Sequence, residues 1–304
     1  MATITQARGL PTATDDLAQG VANIAEHGVT IHRQLIDPAR RERLLDRVLE
    51  QAEMERKLGL AIIGGPGGPQ DLIDCPPGDT RTPIYQNVEF LPNKGRVFVD
   101  LFMDPLLRGY AEGVLQGLPH KLWAMSGIIS RKGLLKQKAH IDQNVVPPQL
   151  STEMPAMLNV FICLSDFDED MGATLIAPGT HRGPRPIWGV NEDSVDFFPA
   201  VAKAGDAIIW EGRTWHRGGP HTSDKTRYAL PVNYCLYAVN PQVIYTSVLH
   251  DRVYKQLSPE ELDVLGFTVL SAGYQGRLGP RFEGDTRGNV NGHTDYVPEL
   301  HRPD

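Results

Sequence analysis

Apolar positions follow two different periods along this chain. In the first third they recur at helical spacing. "DDLAQGVANIAEHG" places Leu17, Val21, Ile24 and Ala25 on one helical face, with Gly28 as a natural stop. "VTIHRQL" then alternates as a short strand. "DPARRERLLDRVLEQAEMER" opens on Asp37 as N-cap and Pro38 at the first helical position, and carries the stripe Leu44, Leu45, Val48, Leu49 and Ala52. "DPLLRGYAEGVLQG" repeats that start with Asp104 and Pro105. From about Leu122 onward the pattern changes to short apolar runs bounded by turn residues: "LWAMSGIISRK", "MLNVFICLSDF", "ATLIAP", "GDAIIWEG" and "RYALPVNYCLYAV". No helical pattern separates them. The fold class is therefore mainly β with N-terminal helices, an antiparallel double sheet or barrel rather than a βαβ fold.

Two segments fit neither period. Residues 58–82, around "LAIIGGPGGPQDLIDCPPGDTRTP", hold too much glycine and proline for an ordered element and read as a lid or binding loop. "GGPGG" is not a phosphate loop, because no Gly-Lys-Ser/Thr ending follows. The polar C-terminal stretch "GRLGPRFEGDTRGNVNGHTDYVPELHRPD" reads as an irregular tail. One domain over 1–304 is expected: a helical part and lid over 1–121, a β core over 122–240, and a C-terminal wrap over 241–304.

Composition narrows the partners. The 304 residues carry a net charge of −7, which argues against nucleic acid, since that partner needs a basic surface. No run of about 18 apolar residues predicts a membrane span. Three cysteines, Cys75, Cys163 and Cys235, lie far apart and predict no disulfide framework. With no basic stretch and apolar run at the start, a cytoplasmic location and a small-molecule substrate are expected.

The chemistry turns on "HID", His140 and Asp142. A His-X-Asp pair alone is weak, and "HTD" at His293 is a second one. A non-haem Fe(II) site takes two histidines and one carboxylate on one face of the metal and leaves other positions open. His140 has the sequel such a site needs. "GDAIIWEGRTWHRGG" supplies His216 after an apolar strand, and "KTRYAL" supplies Arg227 eleven positions later. A planar guanidinium grips a carboxylate in two-point fashion, and Arg227 opens an apolar strand where an unpaired charge is costly. His293 has no comparable sequel.

The pattern "HID … DFDEDMGATLIAPGTHRG … AGDAIIWEGRTWHRGG … KTRYAL" resembles the phytanoyl-CoA dioxygenase (PhyH-like) group of Fe(II)/2-oxoglutarate oxygenases. Met171 and Thr180 stand where the family phrase has asparagine and serine. "IAEHGVTIHRQLIDPARRERL" is similar to the family's opening, so the resemblance covers nearly the whole chain. It implies a double-stranded β-helix (jelly roll, cupin-like). His140, Asp142 and His216 would bind Fe(II), and Arg227 would bind the far carboxylate of 2-oxoglutarate. Gln137 and Thr174 match co-substrate contacts of relatives acting on fungal meroterpenoids and alkaloids. The implied reaction couples O2 and oxidative decarboxylation of 2-oxoglutarate to oxidation of a C–H bond. Hydroxylation is the default outcome; desaturation, cyclisation or rearrangement are the alternatives. The carboxylate of Asp142 argues against halogenation, since related halogenases carry glycine or alanine there.

Other residues have plainer readings. His181 is expected to be structural and His221 exposed. Trp188, Trp210 and Trp215 read as core at least as well as pocket. Asn159 is either a polar strand residue or a neighbour of the co-substrate. The apolar lid favours a bulky specialised metabolite such as a terpenoid, polyketide or alkaloid. An acyl-CoA or an amino acid is the rival substrate. A cupin-type metal enzyme or a binding protein without 2-oxoglutarate chemistry is the rival class, and it leaves Arg227 without a role.

Overall fold

The computed structural model describes residues 9–146, 154–182, 195–271 and 274–277. Helix α1 (Leu17–His27) starts where the Asp16 side chain accepts from the Gln19 backbone N–H. It ends at Gly28, whose φ of 79° lies in the left-handed region that glycine enters without strain. Strand β1 (Val29–His32) follows directly. Asp37 caps helix α2 (Pro38–Leu58), with Pro38 in its first turn, and Asp104 caps α4 (Pro105–Val114) in the same way. Helix α3 (Arg96–Phe102) between them has no capping side chain, so the usual start signal is missing from its sequence.

The segment expected to lack ordered elements is partly ordered. It holds β2 (Ile62–Gly64), a short 3-10 helix over Gly68–Gln70, and β3 (Leu72–Ile73). β2 pairs with both β3 and β4 (Tyr85–Val88). Sheet pairing satisfies backbone groups that glycine and proline would otherwise leave to solvent, which is why composition misread this stretch.

The remaining strands are β5 (His120–Met125), β6 (Gly127–Ser130), β7 (Met157–Cys163), β8 (Thr174–Ala177), β9 (Phe198–Pro199), β10 (Ala207–Glu211), β11 (Trp215–Gly218) and β12 (Arg227–Leu236). The major sheet runs β1-β10-β7-β12-β6-β4-β2-β3, with β5 also on β12, and the minor sheet runs β11-β8-β9. All of these pairs are antiparallel. Two facing antiparallel sheets with helices against the outside of the larger one make a jelly roll, the double-stranded β-helix. Pro231, the one residue of β12 without an N–H, sits where that strand's partner changes from β6 to β5.

Strand alternation divides the core in two. Val160, Ile162, Ile209, Leu230 and Val232 face the helices, where they meet Leu44, Val48, Phe98, Phe102 and Tyr110. Ile208, Trp210, Cys163 and Ala229 face inward with Phe167 and Ile176. β1 is a short strand as expected, and all four of its alternating residues are buried. Val29 and Ile31 enter the inner core. Thr30 and His32 turn to the helices, accepting from Asn23 and meeting the Tyr110 hydroxyl at 2.8 Å. Cys163 and Cys235 are buried as expected, and all three cysteines are free.

After β12 come α5 (Tyr245–Val248), α6 (Asp251–Tyr254), α7 (Pro259–Val264) and the hairpin β13 (Thr268–Ser271) and β14 (Tyr274–Arg277). Ser258 and Glu261 form a capping box at α7, a sequence signal that the reading of this region as a wrap passed over. The tail beyond Arg277, His293 included, lies outside the described residues, as does Trp188. No helix among the described residues is long and apolar enough to cross a membrane.

One buried ion pair ties the layers together. Lys94 Nζ donates to Glu55 Oε1 at 2.6 Å, and the side chains are 1 % and 2 % exposed. Gln51 Nε2 donates to the same carboxylate. Burial pulls the Lys94 ammonium below the usual lysine range, and Glu55 opposes that pull. Removing one partner strands the other charge in the interior, so Lys94→Met is expected to cost about 3–5 kcal/mol in urea unfolding. The double variant Lys94→Met with Glu55→Met is expected to recover most of that loss. A single variant as stable as the wild type would show that Glu55 reaches solvent.

Candidate metal centre

The minor sheet builds one wall of the site. β11 pairs with β8, which places His216 opposite Ile176 and Gly218 opposite Thr174. The chain before Asp142 also runs along β11. Gln137 N–H donates to Gly218 O at 3.0 Å, and Gly218 N–H donates to the Gln137 side-chain carbonyl at 3.0 Å. His140 and His216 exchange both backbone hydrogen bonds, at 2.9 and 3.0 Å. Their rings come to lie 4.3 Å apart.

His140, Asp142 and His216 each offer a ligand atom, and the three atoms lie within 4.8 Å of one another. His216 Nε2 is 3.3 Å from Asp142 Oδ2, and His140 Nε2 is 3.9 Å from Oδ1. Each Nδ1 lies 3.0 Å from a backbone carbonyl, of Lys138 for His140 and of Thr214 for His216. A protonated Nδ1 donating to that carbonyl leaves Nε2 with its lone pair directed at the cluster, the tautomer that metal binding needs. Burial pushes His216 down to about 4, so it is neutral at physiological pH. Two imidazoles and one carboxylate on one side of a cavity fit a divalent iron with an open face.

Two adjoining cavities share this cluster. The smaller, about 170 Å³, reaches from His140, Asp142 and His216 to Thr174 and Arg227. The larger, about 800 Å³, shares His140 and Asp142 and extends between β4, β5 and the segment after β12. Gln137 lines both.

Arg227 is buried in the smaller cavity. Its Nε donates to Ser130 Oγ at 3.0 Å, a guanidinium nitrogen donates to the Gly172 carbonyl, and Phe167 lies under the group. Among the described residues no carboxylate pairs with it. Burial lowers its pKa to about 10, which still leaves it charged at neutral pH. An ionised side chain held in the interior requires a counter-charge. Two further donors in the same cavity, Asn159 Nδ2 and Trp210 Nε1, are buried without a hydrogen-bond partner. One cation and two orphaned donors around so small a space fit an oxygen-rich dianion of the size of 2-oxoglutarate.

The other residues singled out in the sequence separate cleanly. His181 is buried, bonds to the Ala25 carbonyl through Nε2 at 3.3 Å, and stands apart from the cluster. His221 is not exposed as expected; it is 1 % exposed. The chain after β11 folds back there to bridge Met171, and His221 packs against Gly172. Trp215 belongs to a small core with Ile141 and Ala177. Trp210 does line the cavity, with its ring 4.9 Å from that of His216. Ser130 and Tyr85 were not read from the sequence. Neither stands in a pattern that marks it, and each reaches the site only through the pairing of β4, β6 and β12.

Comparison with known proteins identifies the family and the fold. A protein-family profile described as Phytanoyl-CoA dioxygenase (PhyH) matches residues 24–229. The chain is 26% identical to Dioxygenase af480 of Aspergillus fumigatus over 87% of its own length and 82% of that protein's. It is 34% identical to Dioxygenase olcK of Penicillium canescens, over 32% of each chain. Among solved structures, it is similar to the non-heme alpha ketoglutarate dependent epimerase SnoN from nogalamycin biosynthesis, with TM-score 0.57 and 17% identity. That match covers 77% of this chain and 89% of SnoN. The carbocyclase SnoK of the same biosynthesis also gives TM-score 0.57, at 18% identity, covering 85% of this chain and 95% of SnoK.

His216→Ala removes one donor from the cluster. Its Fe(II) affinity is expected to fall by more than the roughly 10–100-fold that losing a ligand's supporting hydrogen bond costs. Calorimetric Fe(II) titration under argon reads this, with circular dichroism as the check on folding. His181→Ala is the control, and its affinity should stay at the wild-type value.

Proposed function

Since the chain belongs to the phytanoyl-CoA dioxygenase (PhyH) family, we propose that His140, Asp142 and His216 hold its iron, that Arg227 anchors its 2-oxoglutarate, and that it oxidises a bulky small molecule of specialised metabolism. The protein is an Fe(II)/2-oxoglutarate-dependent dioxygenase, with O2 as the oxidant. When bound, iron and 2-oxoglutarate supply the activation of O2 that oxidises an unactivated C–H bond, with succinate and CO2 as co-products.

The observation that carries the residue assignment is the three-donor cluster facing a buried arginine across one cavity. His140 and His216 are pre-oriented by their Nδ1 contacts to Lys138 and Thr214, so no rotamer search precedes metal binding. Asp142 brings a single negative charge, which keeps the site's overall charge low. Arg227, steadied by Ser130 and Gly172, meets the far carboxylate of the co-substrate in two-point fashion. Thr174, Asn159 and Trp210 supply donors along the way. Gln137 is held by Gly218 and forms the edge between the two cavities.

The larger cavity receives the substrate. Its volume of about 800 Å³ lies within the roughly 300–1,000 Å³ of small-molecule sites. Trp123, Met125, Ile128 and Phe161 give it apolar walls on part of its lining. Pro69 and Gln70 of the glycine- and proline-rich segment also line it, which supports a role of that segment in substrate contact. The similarity to SnoN and SnoK, both from nogalamycin biosynthesis by name, supports a specialised metabolite. Hydroxylation is the default outcome, with desaturation, cyclisation or rearrangement as the alternatives.

The test is anaerobic. Fe(II) and then 2-oxoglutarate are added to the apo-protein, and the weak visible charge-transfer band of the chelate is read. The band is expected in the wild type. In Arg227→Ala the 2-oxoglutarate concentration needed for half-formation is expected to rise about 100-fold, as for truncating one partner of a buried charge pair. Iron binding without any band would leave the cupin-type alternative.

A further inference from the structure

Three neighbouring strands place one row of side chains toward the cavities. β10 pairs with β7 so that Trp210 lies opposite Asn159. β7 pairs with β12 with Phe161 opposite Pro231 and Leu158 opposite Tyr234, which puts Asn159 abreast of Asn233. The flanking residues Ile209, Leu158, Val160, Val232 and Tyr234 belong to the helix-side core, so alternation turns the row the other way. Trp210 and Asn159 line the smaller cavity, and Asn233 lines both.

Each member of the row offers a donor. Trp210 Nε1 and Asn159 Nδ2 are buried without a hydrogen-bond partner. Asn233 Oδ1 accepts from the Val160 backbone N–H at 3.3 Å. A backbone N–H can only donate, so that contact assigns the amide oxygen and leaves the NH2 group as the other end. No described residue accepts from Asn233 Nδ2. The register of β12 against β5 shifts between Asn233 and Tyr234, a bulge of the kind that re-aims a side chain beside a site.

The other primary amides of the larger cavity are placed differently. Gln70, Asn240 and Gln242 are exposed. The Asn87 amide donates to Glu89, and the Gln137 amide is held by Gly218. Asn233 is 8 % exposed and borders the smaller cavity together with His140, Asp142 and His216. Its donor therefore lies where the two cavities meet, beside the metal cluster.

Resting on the reading that the larger cavity receives the substrate, we infer that Asn233 is a specificity-determining residue whose Nδ2 donates to an oxygen acceptor of the substrate, so that the enzyme selects molecules carrying a carbonyl-type oxygen on an apolar scaffold. A carbonyl placed on this enclosed donor regains the hydrogen bond it gives up in water. An apolar group of the same shape leaves the donor unpaired and is rejected. Because Asn233 borders the metal cluster, the recognised oxygen lies close to the carbon that is oxidised.

Fluoren-9-one and fluorene share one shape and differ at a single position, a carbonyl against a methylene. The binding of each is measured by equilibrium dialysis, under argon, with enzyme loaded with Fe(II) and 2-oxoglutarate. The charge-transfer band is read before any probe is added. Its absence counts against the iron and co-substrate assignment, and the probe ratio is then read on the metal-free protein. The wild type is expected to bind fluoren-9-one about 3–10-fold more tightly than fluorene, the net worth of one hydrogen bond. Asn233→Leu keeps a branched side chain without a donor and should erase that preference, while the 2-oxoglutarate needed for half of the band stays within a few-fold of the wild-type value. Asn233→Asp offers an acceptor in place of the donor and should prefer fluorene. A purely structural role for Asn233 would weaken both probes alike and leave their ratio unchanged. Equal binding of the two probes to the wild type, preference for fluorene, binding of neither, or an unchanged ratio in Asn233→Leu would each overturn the inference. So would a rise in 2-oxoglutarate demand in Asn233→Leu like that expected of Arg227→Ala, which would move Asn233 to the co-substrate. The wild-type ratio decides the question even where a variant fails to fold.

Discussion

The site depends on two backbone hydrogen bonds between segments far apart in the chain. His140 and His216 exchange N–H···O=C contacts at 2.9 and 3.0 Å, as opposite residues of an antiparallel pair do. That exchange puts both imidazoles on the same side at short separation and leaves Asp142, two residues on, to close the triangle. The carbonyls of Lys138 and Thr214 then fix the rings. Because the first contact is made by backbone, the geometry does not rest on side-chain packing around the histidines. It rests on the minor sheet holding β11 in register with β8.

A second constraint is the burial of Arg227. A guanidinium in this interior is tolerated only with partners for its donors and an anion for its charge. Ser130 and Gly172 supply part of the first requirement. The second fits the proposed anchoring of an anionic co-substrate in the smaller cavity. The larger cavity carries no such cation among its described lining residues and keeps the Glu89 carboxylate. The proposed iron ligands His140 and Asp142 line both cavities and so stand between the two.

Elements were legible where local signals and tertiary context agreed. Asp37-Pro38 and Asp104-Pro105 mark helix starts because the cap is a contact within one turn. The strands from Leu122 onward were readable because both faces of the major sheet are covered, which produces near-continuous apolar runs. The reading failed where long-range contacts override local preference. The glycine- and proline-rich stretch became two strands because β4 offers them an edge. The polar Thr30 and His32 of β1 are buried with its apolar residues, because helices cover one side and the inner core the other. His221 was expected at the surface, but the return of the chain onto Met171 and Leu134 buries it.

By itself, the sequence determined the helix caps, the change from helical to strand period and the residues His140, Asp142, His216 and Arg227 as one spaced set. These depend on contacts within a turn, on burial averaged along a strand, or on a motif recorded in residue order. Only the tertiary structure decided that Ser130 and Gly172 steady Arg227, that Asn159 and Trp210 present orphaned donors to the same cavity, and that Asn87 and Glu89 line the larger one. Each of these follows from which strand lies beside which and in what register. A shift of one residue would turn every side chain of β4 or β12 to the opposite face. Register is fixed by the packing of the whole sheet, so no short stretch of sequence can state it.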